Sequence, residues 1–323
     1  MGAWAPARTR MSAPVLVTGA SGFVGRHLIE MLAEGGRAVH AVGGRRAIDS
    51  VPANVDVLPG RALDAETDWF DALAGVDAVV HLAGSAHGRG GDDPARMQQV
   101  NRDGAVRLAR CAAEAGVRRF LLVSSIGVHG NASHGEPFTE DSPVRPEAVY
   151  AETKRAGELG VTEALTGTCT ELVILRPPLV YGPAAPGNPA RLLAWSRRGW
   201  PLPLASIRNR RSFVAVQNLC AAIGVCLEDS RAAGETFLVA DRQTISTPDL
   251  LREIARRLDR PSRLLPCPPA LLAFAAGLVG RRDDVTRLAS DLVVDASKLE
   301  RHLGFTPPLG LAEGLDHWIG AMR

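Results

Sequence analysis

The sequence predicts an α/β fold, a doubly wound parallel sheet with a smaller C-terminal cap. Continuous apolar runs at residues 15–17 and 120–123 are typical of parallel strands, because such strands are buried on both faces. A turn with three glycines follows the first run and leads into an amphipathic segment, as in a βαβ unit. The 323 residues suffice for one large domain and a second, smaller one.

The turn TGASGFVG at residues 18–25 has the glycine spacing of a dinucleotide-binding turn. The first glycine permits the tight turn, the second lets the backbone approach a pyrophosphate, and the third allows the helix to pack closely. Unpaired N–H groups at the start of this helix would hold the pyrophosphate. We therefore expect the turn to contact the cofactor through Gly19, Ser21, Gly22, Phe23, Val24 and Gly25.

The end of the second strand bears on the choice of cofactor. This strand is predicted over residues 38–42, and Gly43, Gly44, Arg45 and Arg46 follow it. NAD-binding folds usually place Asp or Glu there, whereas this chain has no carboxylate to repel a 2′-phosphate and two guanidinium groups to pair with one. The sequence therefore favours NADP(H). NAD(H) stays open if the two arginines are solvated loop residues.

The third and fourth strands are predicted over residues 55–58 and 78–84. His81 is interpreted as a structural histidine at the end of the fourth strand. Leu82, Ala83 and Gly84 follow it, and the small residues Ala83 and Gly84 leave room for the cofactor to cross the strand ends.

A long helix is predicted over residues 94–115, and a fifth strand over residues 119–123. In the helix, the amide of Asn101 either holds a water or orients a catalytic side chain, or it only packs. The strand places Ser124 and Ser125 at its carboxyl end, where the ligand sites of doubly wound sheets lie.

Tyr150 and Lys154 are four residues apart in a helix predicted over residues 150–166, so their side chains share one face. A free phenol has a pKa of about 10, which makes it a poor base at neutral pH. A nearby ammonium and a positive nicotinamide ring both favour the phenolate and are expected to lower that pKa. Ser125 can donate a hydrogen bond to the substrate oxygen whose proton Tyr150 takes or gives.

Together these residues resemble the extended short-chain dehydrogenase/reductases, the group of nucleotide-sugar epimerases, dehydratases and reductases. The resemblance runs from about Pro14 onward. Its motifs are the glycine turn, HLAG at 81–84, NRDG at 101–104, RPPLVYGP at 176–183, RSFV at 211–214, and DASK and LGFTP at 295–298 and 303–307.

This resemblance implies a Rossmann fold, a catalytic triad and a homodimer that pairs the helices at 94–115 and 150–166. The triad would be Ser125, Tyr150 and Lys154. Further cofactor contacts are implied for Leu82, Ala83, Gly84, Asn101, Tyr150, Lys154 and Pro177. Substrate contacts are implied for Ser125, Ile126, Asn188, Arg211 and Arg287.

The chain departs from the family pattern at two places. Arg61 stands where an acidic residue near the adenine is common, with Asp64 close by in sequence. The 4,6-dehydratases and the sugar-acid decarboxylases have acidic residues just after the catalytic serine or threonine, whereas Ile126 and Gly127 stand there in this chain. Elimination and decarboxylation therefore lack their catalysts.

Beyond Pro183 the chain is rich in proline and arginine, as expected of a cap over the strand ends. Arg208, Arg210 and Arg211 cluster in a nearly neutral protein and indicate a diphosphate site, with solvated loop charge as the alternative. Asn188 would contact the phosphates or make a turn, and Arg287 or Arg282 would supply a further cation. We predict an N-terminal extension at residues 1–12, a dinucleotide domain at 13–183 with a return at about 212–240, and a cap at 184–211 and 241–323.

Two reactions at C4 of a UDP-sugar fit these features. One is reduction of a 4-keto sugar nucleotide by NADPH for surface polysaccharide synthesis, and the other is 4-epimerisation with NAD that stays bound. The Gly-Gly-Arg-Arg segment favours the reductase slightly, while the C-terminal motifs favour the epimerase. A non-catalytic dinucleotide-binding regulator would be expected to have a broken triad, and a steroid or flavonoid reductase an apolar cap pocket.

Composition excludes several other classes. A net charge of +2 argues against nucleic-acid binding, and five scattered cysteines without a CxxC pair predict no metal site and a reducing cytoplasm. The apolar stretch at 268–280 is shorter than the roughly 20 residues that span a bilayer, so we expect a buried helix, with docking on a membrane or partner as the alternative. Residues 1–10 lack a signal-peptide core, and Met11 is an alternative start to Met1.

Overall fold

A computed structural model describes residues 13–44, 48, 51–85, 93–278, 286 and 288–321. The predicted extension at residues 1–12 lies outside the described residues. So do four of the predicted ligand contacts, Arg45, Arg46, Arg282 and Arg287.

Seven strands form one parallel sheet in the order β3-β2-β1-β4-β5-β6-β9, and β7 and β8 pair in parallel beside it. The strands in the described residues are β1 Val15–Thr18, β2 Val39–Val42, β3 Val55–Leu58, β4 Ala78–His81, β5 Arg119–Val123, β6 Glu171–Arg176, β7 Leu179–Tyr181, β8 Phe213–Ala215 and β9 Thr236–Leu238. The prediction of a doubly wound parallel sheet of Rossmann type is confirmed.

Helices connect the strands and cover both faces of the sheet. They are α1 Phe23–Glu34, α2 Phe70–Leu73, α3 Pro94–Gln98, α4 Ala105–Glu114, α5 Val149–Leu165, α6 Asn188–Arg198, α7 Val216–Glu228, α8 Thr247–Arg257, α9 Pro269–Leu278, α10 Ser297–Leu303 and α11 Leu311–Gly320. No helix among the described residues is both long and apolar enough to cross a membrane.

Alternate residues of each central strand pack into different cores. Val15 and Val17 of β1 belong to the core under α1 and α7, whereas Leu16 belongs to the core under α2, α4 and α5. This division follows from the two-residue period of a strand. It explains why the predicted strands are apolar throughout rather than alternating with polar residues.

The neighbouring strands β1 and β4 lie at the centre of the order, and the connection after β1 runs to one side of the sheet whereas the connection after β4 runs to the other. A crevice forms at such a switch point, and ligands of open α/β sheets bind there. The glycine turn follows β1 at this crevice, and Ser124 and Ser125 follow β5 at the same edge of the sheet.

A third core joins the C-terminal helices to the small sheet. Trp318 of α11, Leu251 of α8 and Leu193 of α6 pack there with Tyr181 of β7 and Phe213 of β8. The two short strands therefore connect the large sheet to the C-terminal region. The boundaries at residues 183 and 212 stay a prediction.

The helix expected over residues 94–115 is not uniform, and this is a correction. Residues Gln99–Gly104 form a π-helical segment between α3 and α4. The carbonyl of Asn101 in this segment approaches Gly157 of α5 so closely that a Cβ on Gly157 would overlap it. π-Helical turns are rare and are found mostly at functional sites, which fits the position of Asn101 beside the crevice.

Candidate active site

The glycine turn has the shape that its sequence predicts. Gly19 has a φ of +71°, and a Cβ on it would lie 2.7 Å from the nitrogen of Ala83. A Cβ on Gly22 would lie 2.9 Å from the oxygen of Gly19, and one on Gly25 would overlap the same oxygen. The backbone is thus bare at these three positions, where a side chain cannot be accommodated, and forms a cradle there.

The N-terminus of α1 opens onto this cradle. Gly22 is the N-cap residue, no side chain caps the helix, and its first turn has no acidic residue. Ser21, predicted to contact the cofactor, accepts a 3.0 Å hydrogen bond from the N–H of Gly44 and so fastens the loop after β2 to the turn. Uncapped N–H groups, the positive end of a helix dipole and the absence of side chains together fit a pyrophosphate.

A cleft of about 610 Å³ continues from the turn between the loops after β2, β3 and β4. It is lined by Gly44, Gly60, Arg61, Ala62, Leu63, Asp64, Gly84, Ser85, Arg96, Gln99 and Val100. Its size and position fit the adenosine half of a dinucleotide. Arg61, which replaces the expected acid, donates to both carboxylate oxygens of Asp71 at 2.6 Å and lies 5.7 Å from the centre of the Trp69 ring.

Ser125 and Ile126 are held by short local contacts at the end of β5. The Oγ atom of Ser125 accepts a 3.1 Å hydrogen bond from the N–H of Gly127 and caps a 3₁₀ turn at Ile126–Val128. The N–H of Ile126 donates to the carbonyl of Pro177 at 2.9 Å. The structure thus brings Ser125, Ile126 and Pro177 together, as the sequence implied.

Lys154 is 6% exposed, and its Nζ donates a 2.7 Å hydrogen bond to the carbonyl of Val123. Burial lowers the pKa of Lys154 to about 8, and the charge of Glu158 opposes this shift. The ammonium therefore lies directly beneath the strand end that carries Ser125.

Burial raises the pKa of Tyr150 in the protein alone. The expected lowering by the Lys154 ammonium is wrong for this state, because desolvation of the phenol dominates. The start of α5 is held by the Oγ1 of Thr153, which donates to the carbonyl of Tyr150 at 2.9 Å.

Asn101 connects the loop after β4 to α5. Its Nδ2 donates to the carbonyl of Ser85 at 2.9 Å and to the Oγ1 of Thr153 at 3.0 Å, while its Oδ1 accepts from the N–H of Ser85 at 2.8 Å. A Cβ on Gly84 would lie 3.2 Å from the Asn101 Oδ1 and 3.9 Å from the Lys154 Nζ. Of the roles expected for Asn101, the structure supports the orienting one, because Thr153 in turn donates to the carbonyl of Tyr150.

A buried charge network behind the site was missed in the sequence. Glu158, one turn after Lys154, accepts hydrogen bonds from Arg176 at 2.9 and 2.6 Å, and Arg176 also approaches His129 at 2.9 Å. Burial alone would raise the pKa of Glu158, but Arg176 outweighs it and the net pKa is lowered. Burial and Arg176 also lower the pKa of His129. The feature of the sequence that could have indicated this network is a Glu four residues after Lys154.

His81 is buried, and its Nδ1 lies 2.8 Å from the Oγ1 of Thr18, which joins β4 to β1. Burial lowers its pKa to about 3, with a smaller contribution from the charge of Lys154. A neutral ring held between strands fits the structural interpretation.

The cap residues that were expected to contact the substrate differ in how deeply they are buried. Arg211 is half-buried and donates to the carbonyl of Ser290 at 3.1 Å, and burial lowers its pKa. Arg208 and Arg210 are exposed, and Asn188 is exposed at the first position of α6.

Tyr181 of the RPPLVYGP motif makes its hydrogen bond within the protein and has a structural role. Its hydroxyl is buried and donates to Asp241 at 2.8 Å, and Asp241 also accepts from Asn218 at 2.7 Å. Burial raises the pKa of Asp241. These residues fasten the small sheet to α7, and the partners of Tyr181 are too distant in sequence to have been predicted.

Comparison with known proteins agrees with this geometry. A model of the NAD dependent epimerase/dehydratase family matches residues 15–240. A UDP-glucose 4-epimerase of Vibrio cholerae is 34% identical over 310 residues, which are 94% of each chain. A putative epimerase from Burkholderia cenocepacia J2315 is 26% identical, with a TM-score of 0.78 over 98% of this chain and 99% of that one.

A further solved structure is that of MoeE5 in complex with UDP-glucose and NAD. It is 25% identical, with a TM-score of 0.79 over 96% of this chain and 98% of that one. The family match covers well over half of the chain and includes the turn, the serine and the Tyr–Lys pair. This chain belongs to the NAD-dependent epimerase/dehydratase family.

Proposed function

We propose that this protein is a UDP-hexose 4-epimerase that retains NAD(H). The observation that carries the proposal is the ammonium of Lys154 fixed on the carbonyl of Val123, two residues before Ser125 and one helical turn after Tyr150, at the same edge of the sheet as a bare cradle for a dinucleotide. The similarity to a UDP-glucose 4-epimerase over 94% of both chains supports epimerisation over the slight sequence-based preference for reduction. UDP as the nucleotide rests on the same relative and on MoeE5.

A nicotinamide dinucleotide bound in this crevice would supply the acceptor and donor of the C4 hydride. The chain supplies the rest. Tyr150 takes the proton of the C4 hydroxyl and later returns it, and Ser125 donates a hydrogen bond to the same oxygen. Lys154, fixed on the carbonyl of Val123, provides a buried positive charge that favours the phenolate when the proton leaves.

The residues after Ser125 support redox chemistry without elimination. The backbone N–H of Ile126 is used by Pro177 and that of Gly127 by Ser125, and neither residue carries a carboxylate. Removal of a C5 proton and loss of the C6 hydroxyl both need acid–base groups near the sugar. A 4,6-dehydratase is therefore disfavoured.

Reduction of a 4-keto sugar nucleotide by NADPH is the second candidate. It is favoured by the absence of a carboxylate after β2, and by the guanidinium groups of Arg61 and Arg96 in the adenosine cleft. A 2′-phosphate would meet positive charge there, although Asp71 neutralises Arg61 in part. The dimer through α4 and α5 also stays a proposal, supported by the exposed Leu159 on α5.

Release of the bound nucleotide separates the two reactions. The purified protein is denatured, the released nucleotide is identified, and turnover of UDP-glucose to UDP-galactose is followed without added cofactor. We expect stoichiometric NAD(H) and unassisted turnover. A nucleotide-free protein that oxidises NADPH with a UDP-4-keto-hexose would overturn epimerisation in favour of the reductase.

A further inference from the structure

Large apolar side chains are exposed on two segments of the cap, at residue 200 and at residues 265–274. Trp200, Leu265, Leu271 and Phe274 are each more than half exposed, and they are four of the eight large apolar residues exposed in the described chain. Isolated exposed apolar residues are common, but a cluster of this kind marks an interaction surface.

Backbone pairing brings two of these segments side by side. The N–H of Leu202 donates to the carbonyl of Arg263 at 3.0 Å, and the N–H of Leu265 donates to the carbonyl of Leu202 at 2.8 Å. Trp200 and Arg263 line the same shallow depression between α6 and the loop after α8. Trp200 and Leu265 therefore belong to one surface.

The helix α9 begins four residues after Leu265 and carries the other two exposed side chains. Leu272 packs against the cap core, whereas Leu271 and Phe274 remain exposed. The segment PALLAFAAGL that forms the helix has no charged or hydrogen-bonding side chain. The expectation that it is a buried helix is wrong for these two residues, and water is an unfavourable environment for them.

Arginines flank the apolar residues along the chain. Residues 188–211 contain six arginines and neither Asp nor Glu, although the whole chain has a net charge of only +2. Four arginines beside the patch are exposed: Arg197, Arg198, Arg260 and Arg263. The guanidinium of Arg198 lies 4.8 Å from the centre of the Trp200 ring.

We propose that this cap surface binds an anionic lipid bilayer. Its apolar side chains, Trp200, Leu265, Leu271 and Phe274, enter the boundary between headgroups and acyl chains. The four arginines contact the lipid phosphates. Tryptophan at the headgroup level, aliphatic and phenyl groups below it and arginines around them are the composition of interfacial anchors.

Two other occupants fit less well. A symmetric contact with a second copy would bring the arginines of the two patches together, and the exposed Asp259 next to Arg260 supplies only one carboxylate per copy against four arginines. A nucleic acid would pair with the arginines and stack on Trp200 and Phe274, but it offers no apolar partner for the aliphatic side chains of Leu265 and Leu271. An anionic bilayer satisfies both the charge and the apolar groups.

Vesicle flotation with the full chain tests the proposal. We expect binding to vesicles of phosphatidylcholine with phosphatidylglycerol, weak binding to phosphatidylcholine alone, and loss of binding as salt is raised. Leu271→Ser/Phe274→Ser should weaken binding at least about tenfold. Arg197→Gln/Arg198→Gln should weaken it about 30-fold, because each arginine near the surface contributes about fivefold.

Matched controls remove the same groups elsewhere. Phe70→Ser removes an exposed phenyl group from α2. Arg242→Gln/Arg301→Gln lowers the net charge by as much as Arg197→Gln/Arg198→Gln does. Neither control should change vesicle binding. The melting temperature and epimerase turnover of each variant confirm folding. The proposal would be overturned if the wild-type protein floated with neither kind of vesicle. It would also be overturned if the Leu271→Ser/Phe274→Ser variant bound the vesicles as well as the wild-type protein does. The same holds if loss of the patch changed only the oligomeric state measured by light scattering.

Discussion

At the scale of single residues, Lys154 is a charged group that is almost completely buried. Its ammonium is held by the carbonyl of Val123, and burial lowers its pKa to about 8. The positive form is favoured below this pKa and is lost as the pH rises through it. The proposed chemistry uses the positive form, so the charge of this residue should be visible in the rate.

The pH profile of turnover is therefore the first prediction. We expect kcat/KM to fall as the pH rises through about 8, because neutral Lys154 no longer favours the phenolate of Tyr150. Steady-state rates measured across the neutral to basic range check this limb. A rate that continues to increase well above that pKa would contradict the role of Lys154.

Tyr150 gives the second prediction. Its phenol is neutral at pH 7 in the protein alone, because burial raises its pKa, and it has to exchange the hydroxyl proton during each half-reaction. Tyr150→Phe should lower kcat by about 10²–10⁴-fold with little change in the melting temperature. Unchanged turnover of this variant would rule out the assigned proton transfer.

The sequence was sufficient to predict the Tyr–Lys pair and the glycine turn, because their geometry is local. It was not sufficient for the electrostatics. The pKa of Tyr150 depends on desolvation by distant segments, and the ion pair of Glu158 with Arg176 joins residues 18 positions apart.

At the scale of elements, α5 is held against the π-helical segment by a backbone contact. Gly157→Ala would place a Cβ against the carbonyl of Asn101, which cannot move without breaking its segment. We expect a loss of roughly 1–3 kcal/mol or more in the free energy of unfolding, measured by denaturant titration. Gly320→Ala, in α11 with nothing within 4 Å, is the control and should be neutral or stabilising. Equal stability of the two variants would refute the close contact.

The ion pair of Glu158 with Arg176 connects α5 to the end of β6. Glu158→Gln leaves Arg176 buried without its carboxylate, which should cost roughly 3–5 kcal/mol. It should also move the basic limb of the pH profile to lower pH, since Glu158 raises the pKa of Lys154. Arg155→Gln removes a partner that is 31% exposed and should cost less than about 1 kcal/mol. An unmoved basic limb in Glu158→Gln would mean that Glu158 is structural only.

Strands were predicted more accurately than the long helix. The bounds of β3 and β5 agree with the predicted 55–58 and 119–123. In β5 the signal is the continuous apolar run of a buried parallel strand, whereas the edge strand β3 has exposed residues and is marked by its β-branched valines. The π-helical segment could not be foreseen, since its six residues are too few for a hydrophobic period to distinguish it from an α-helix.

At the scale of the whole molecule, the sheet supplies the crevice, and in the proposed function the cap supplies the surroundings of the sugar. The sequence predicted the architecture, because strand runs and glycine turns are local signals. It could not predict the cap core around Trp318 and Tyr181, which is assembled from segments far apart in the chain. The same reason explains why α9 was expected to be buried.

The central claim is that C4 is oxidised and reduced again within one active site. UDP-glucose deuterated at C4 is incubated with the wild-type protein, without added nucleotide, and the UDP-galactose formed is analysed by mass spectrometry and NMR. The account predicts that the label remains on C4 of the product, because the hydrogen that leaves this carbon returns to it. Loss of the label to solvent during epimerisation would contradict the account.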